Sequence, residues 1–89
     1  MKHFVVTLEF TGTSMDQEVS AAQAAFVHRL YNKTALVLAG PFDDGEGGMA
    51  VLRCDSLEQA EKLYRDSPVI RSGHATFKVR EWKVLLGEI

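Results

Sequence analysis

Three histidines, one cysteine, a scatter of carboxylates and a glutamine set among apolar residues are what this 89-residue chain offers for chemistry. His74 opens the last strand-like run, and Glu9 lies near the end of the first. If those two strands are antiparallel neighbours, Glu9 comes close to His74 on one sheet face. A carboxylate beside an imidazole raises its pKa, orients the ring and makes it a usable base. Glu9 and His74 are therefore the candidate catalytic pair, set against the plainer reading of a cross-strand pair that stabilises the sheet. Gln23 is the candidate for binding. A buried amide left without partners costs on the order of 1–3 kcal/mol, so Gln23 must hold a backbone group or line a pocket.

The other polar residues carry less. His3 shares the face of Glu9 but sits at the far end of its strand, which suits a surface or interface role. His28 reads as solvated. Histidines this dispersed give no metal-ligand spacing, so no metal is expected. Asp43, Asp44 and Glu46 lack the spacing of a calcium loop, and the neighbouring glycines lack a phosphate-binding pattern followed by a helix. "DDGEGG" is read as a hairpin turn. Ser67 has no serine-nucleophile context and is assigned a hydrogen bond to a ligand or a helix end. Cys54, in a strand-like run, reads as a buried, inert thiol.

The elements that must position these residues follow from periodicity. Phe4, Val6, Leu8 and Phe10 alternate with His3, Val5, Thr7 and Glu9, the period of a strand with one apolar and one mixed face. Ser14 and Gln17 suggest a capping box, and Val19, Ala22, Phe26 and Leu30 then recur at helical spacing. On a wheel of 100° per residue, Gln23 falls about 40° from Val19 and His28 about 180° away. Two β-rich runs, 34–42 and 48–54, flank the turn. Ser56 and Gln59 form a second capping box before "LEQAEKLYRDS", which ends ahead of Pro68. Residues 74–84 alternate as a last strand, with Ala75, Phe77 and Val79 on its apolar side.

The whole chain makes a single domain, residues 1–89, with a small core: at this size only roughly 60–65% of the unfolded surface is buried on folding. A net charge of −2 and the absence of a basic, aromatic stripe argue against nucleic acid as a partner. No apolar run approaches a membrane span of about 20 residues, and the N-terminal stretch has no small-residue cleavage site, so the expected location is cytoplasmic. The order β-α-β-β-α-β predicts an α+β, ferredoxin-like sandwich, a four-stranded antiparallel sheet with two helices on one face. The mixed face left bare would take a second subunit, giving a homodimer of the dimeric α/β barrel kind.

"AGPFDDGEGGMAVL", then "DSLEQAEKLYRDSPVIRSG", then a strand ending at Trp82, resemble the YCII-related family of small dimeric α/β barrel proteins over most of the chain. The resemblance implies a small-molecule enzyme without metal or redox cofactor. One known activity in the family eliminates chloride from a chlorinated hydroxyhydroquinone, and a His–Asp acid/base pair is proposed for the family more broadly. The family histidine stands about seventeen residues before the Gly of "AGP", which here is Gln23; its aspartate precedes the proline after the second helix, which here is Ser67. Neither Gln nor Ser titrates near neutrality, so the acid/base roles do not transfer. The reading that follows is elimination or isomerisation of a hydroxylated aromatic or quinone-like metabolite. His74 would be the base, Glu9 would orient it, and Gln23 and Ser67 would bind substrate oxygens. The alternatives are a non-catalytic ligand-binding or accessory dimer and a cofactor-free oxygenase of the same barrel class.

Overall fold

Phe4, Val6 and Leu8 are sunk beneath two helices, while Val5, Thr7 and Glu9 face the other way, as the alternation of the first strand requires. The computed structural model describes every residue except 13, 15, 88 and 89. Four strands and three helices follow in the order β1 (Lys2–Phe10), α1 (Gln17–Asn32), β2 (Leu36–Pro41), β3 (Gly47–Cys54), α2 (Leu57–Arg65), α3 (Pro68–Arg71) and β4 (Ala75–Glu81). The strands form one antiparallel sheet in the order β2-β3-β1-β4, the ferredoxin-like arrangement that the element order predicts.

The core lies between the helices and one sheet face, where Phe4, Leu52, Phe26 and Tyr64 belong to a single apolar cluster. Tyr64 stands edge-on to Phe26 with ring centroids 5.5 Å apart, a favourable quadrupolar geometry. The opposite sheet face has no helix over it among the described residues. There Leu38, 48% exposed, and Met49, 37% exposed, leave apolar surface uncovered beside Val5 and Val51.

Both helix starts show how side chains satisfy free amides. Ser56 accepts from the Gln59 N–H at 3.1 Å, and Gln59 reaches back to accept from the Asp55 N–H at 2.8 Å, so the expected capping box forms, one residue wide of its usual return bond. The first helix differs from expectation. Its N-cap is Asp16, whose carboxylate accepts from Val19 N–H at 2.8 Å, and not Ser14. Ala22, expected in the buried stripe, is exposed, and α1 buries Phe26 and Leu30. Pro68 does not simply stop a helix: at the first helical position its missing N–H costs nothing, and it opens the short α3.

The β2–β3 turn closes on itself. Asp44 Oδ1 accepts from Glu46 N–H at 2.9 Å, and Gly45 takes a φ of 73° that a side chain would strain. No helix among the described residues is long and apolar enough to cross a membrane.

Candidate functional site

Gln23 projects from the middle of α1 toward the junction between α2 and α3. Its Oε1 accepts from Ser67 Oγ at 2.7 Å and from Val69 N–H at 3.3 Å. A backbone N–H can only donate, so the atom facing Val69 is the amide oxygen. Ser67 is the N-cap residue of α3, yet its side chain makes no capping bond. It donates to Gln23 instead, and the Gln23 oxygen caps the α3 amide in its place. With its oxygen doubly engaged, Gln23 has its NH2 group left to offer, and no described residue takes it.

That side chain lines a cavity of about 540 Å³ between α1, the base of the β2–β3 hairpin and the α2–α3 junction. Its walls are mainly apolar, with Leu8, Val27, Ala39 and Val69 among them. Gln23, Tyr64, Ser20 and His28 supply the polar side chains, and among the described residues no Lys, Arg, Asp or Glu contributes. Such a space suits a small ring-bearing molecule held by a few hydrogen bonds. Glycines shape the hairpin side. A Cβ on Gly47 would lie 2.0 Å from Leu8 O, and one on Gly48 would lie 2.9 Å from Gly40 O. The loop therefore does more than turn the chain: its glycine-rich base lets the strands pair closely and forms one wall of the cavity.

The structure brings Gln23 and Ser67 together and keeps Glu9 and His74 elsewhere. Ser67 is fully buried and spends its hydroxyl on Gln23, so it holds the amide in place and does not line the cavity. Asp66, beside it in sequence, points outward to Arg71 at 3.1 Å, with both side chains well exposed. Glu9 pairs in register with Thr76, and His74 stands just ahead of β4, where its carbonyl accepts from Thr11 N–H at 2.9 Å. No ion pair joins Glu9 to His74 among the described residues; His74 Nδ1 lies 2.5 Å from Ser72 Oγ. The helix side, which carries Gln23, and the bare side, which carries Glu9, are opposite faces of one sheet. His3 is remote from both, and its carbonyl accepts from Trp82 N–H at 2.8 Å.

Two cavity residues escape the sequence reading. His28 is exposed, as its place on the wheel implies, but its flank of α1 faces β2, so the ring borders the cavity. Tyr64 looks like an ordinary core aromatic of an amphipathic helix. Burial pushes its phenol above the usual range, which keeps the hydroxyl protonated. Cys54 is buried, as expected, with its thiol also pushed up by burial and directed at Ser56 O, 3.7 Å away.

Comparison with known proteins agrees with this architecture. The family model described as the YCII-related domain matches residues 2–83. The uncharacterized protein YjpA of Bacillus subtilis is 36% identical over 69 residues, which span 78% of this chain and 81% of that protein. Among solved structures, the 5-chloro-2-hydroxyhydroquinone dehydrochlorinase of Burkholderia phenoliruptrix, in complex with 2,5-dihydroxybenzoquinone, superposes with a TM-score of 0.73 at 19% identity, covering 91% of this chain and 93% of that one. Muconolactone isomerase gives 0.77 at 14% identity, with 98% and 94% covered. At such identities the likeness to the two enzymes is one of fold.

Proposed function

The chain belongs to the YCII-related domain family, and from that membership we propose that it acts on a small hydroxylated aromatic or quinone-like metabolite by cofactor-free, proton-transfer-driven elimination or isomerisation. The observation that carries this reading is the Gln23–Ser67 hydrogen bond, which turns a carboxamide with free N–H donors onto a mainly apolar cavity. Removing a proton from a ring hydroxyl or an acidic C–H places negative charge on a conjugated oxygen. A preorganised N–H donor stabilises charge of that kind in a site that excludes water. His28 is the imidazole bordering the cavity and is the first base to test.

Glu9 and His74 retain a role in a different arrangement. Glu9 lies on the bare sheet face, with His74 just ahead of β4, and a second copy of the chain would cover that face in a homodimer, burying Leu38 and Met49. A base there would serve a site made by two subunits. A second reading, a non-catalytic ligand-binding dimer, is favoured by the chemistry of Gln23 and Ser67, neither of which titrates near neutral pH.

The test is turnover. The chain is incubated with 5-chloro-2-hydroxyhydroquinone, the compound named for its structural neighbour, and with a muconolactone-type lactone, while chloride release and the ultraviolet spectrum are followed. Turnover that falls at least about a hundredfold in His28→Ala supports the enzyme reading with the base on α1. The same loss in His74→Ala alone moves the base to the start of β4. Saturable binding without turnover favours the ligand-binding reading, and neither binding nor turnover removes the proposal.

A further inference from the structure

Tyr64 is almost wholly buried, at 2% exposure, and its ring is fixed between Phe26 and Phe77, whose centroids lie 5.5 and 6.4 Å away. A tyrosine so placed usually gives its hydroxyl a hydrogen-bond partner. Here no described residue donates to it or accepts from it. The side chain lines the same cavity as Gln23, and the two are linked through the backbone: Tyr64 O accepts from Ser67 N–H at 3.0 Å, and Ser67 Oγ donates to Gln23. The cavity therefore has two unspent donors, a phenolic O–H and a carboxamide NH2, in a lining to which no described Lys, Arg, Asp or Glu contributes.

We infer that Tyr64 is a ligand-binding residue, and that its O–H and the Gln23 N–H groups together hold an oxygen of the bound ring, a phenolate, an enolate or a quinone carbonyl. The inference rests on the reading of this cavity as the binding site, and it narrows the ligand class. Two neutral donors satisfy one acceptor oxygen or a single spread negative charge. A phosphate or a dicarboxylate would enter this lining without a lysine or arginine to offset its charge, which disfavours both. The apolar walls then take the ring.

Tyr64→Phe is the informative variant, because it removes one oxygen and leaves the packing of the ring against Phe26 and Phe77 intact. Wild type, Tyr64→Phe and Gln23→Ala are titrated with 4-nitrophenolate and 2,5-dihydroxybenzoquinone, and with 4-nitrotoluene as the ring that lacks the oxygen. The expected result is binding of both oxygen-bearing probes about tenfold weaker in Tyr64→Phe, with 4-nitrotoluene unaffected and a melting temperature equal to or above that of wild type. A melting temperature that falls by several degrees, or equal affinity in Tyr64→Phe when Gln23→Ala binds weakly, overturns the role of Tyr64 and leaves the cavity standing. If wild type binds neither oxygen-bearing probe, the role of Tyr64 and the cavity reading fall together.

Discussion

Gln23 Oε1 and Ser67 Oγ are 2.7 Å apart, a direct hydrogen bond between residues 44 positions apart in sequence and on different helices. The resemblance to the YCII-related family singles out the same two positions as those of its acid/base pair. In this chain those two positions hold an amide and a hydroxyl that meet directly, and together they cap α3 and aim the amide at the cavity.

Ser67→Ala removes one of the two bonds to the Gln23 oxygen and leaves Val69 N–H as the other. The expected cost is about 1 kcal/mol in chemical denaturation, because the oxygen stays partly satisfied. Ligand affinity should weaken only modestly, since the donor that faces the cavity is the NH2 group. An affinity loss as large as that of Gln23→Ala would mean that Ser67 touches the ligand itself.

Restoring the family residues should show strong coupling. Ser67→Asp alone buries a carboxylate at a position with 0% exposure and is expected to cost at least about 3 kcal/mol. Gln23→His supplies a cation for that carboxylate, so the double variant should be more stable than the sum of the two single changes. A double-mutant cycle reads this directly, with an expected coupling of about 1–3 kcal/mol. Additive effects would show that residues 23 and 67 do not meet in solution.

Gly47→Ala places a methyl group against the Leu8 carbonyl, where a Cβ has only 2.0 Å of room. The strands must separate to admit it, at a cost of about 2–3 kcal/mol and with distortion of the cavity wall. Gly45→Ala, at the tip of the turn with open space around it, carries only the strain of its φ of 73° and should cost about 1 kcal/mol. Urea unfolding of the two variants ranks them, and a reversed order would contradict the strand pairing described.

Burial pushes the Tyr64 phenol up from 10.0 and raises the Cys54 thiol from 9.0, so both groups hold their protons more tightly in the folded chain than in the unfolded one. The sign follows from linkage: their contribution to stability is complete below the unfolded values and is lost as pH rises through and beyond them. Urea midpoints should therefore show no loss from these groups between about pH 6 and 8 and should decline above about pH 9. At pH 8 the Cys54 thiol should alkylate at least about a hundredfold more slowly in the native protein than in denaturant.

The fold is legible in the sequence because each element announces itself locally. Alternation marks β1 and β4, Ser56 and Gln59 mark the start of α2, and Asp-Gly marks the hairpin. The start of α1 is harder, since Ser14 and Asp16 are both good caps and only the final geometry shows which oxygen meets a free amide. The site is legible at Gln23, where a polar residue interrupts an apolar stripe. It is not legible at His28, because the wheel measures distance from the core and the cavity lies on the flank of the helix. Nor is the register of β1 against β4 readable. Glu9 and His74 share a face by alternation, but the pairing of Glu9 with Thr76 depends on how the preceding loops close.

The central claim is that the space between α1, the hairpin base and the α2–α3 junction receives the ring of an oxygen-bearing ligand. Titration of 2,5-dihydroxybenzoquinone into isotopically labelled protein, followed residue by residue in amide resonance spectra, tests it most directly. The account predicts saturable shifts concentrated at Gln23, His28, Gly47, Gly48 and Val69, with the Gln23 side-chain NH2 among the largest. Shifts confined to Glu9, Thr76 and Lys78 on the bare sheet face, or no saturable shifts, would contradict it.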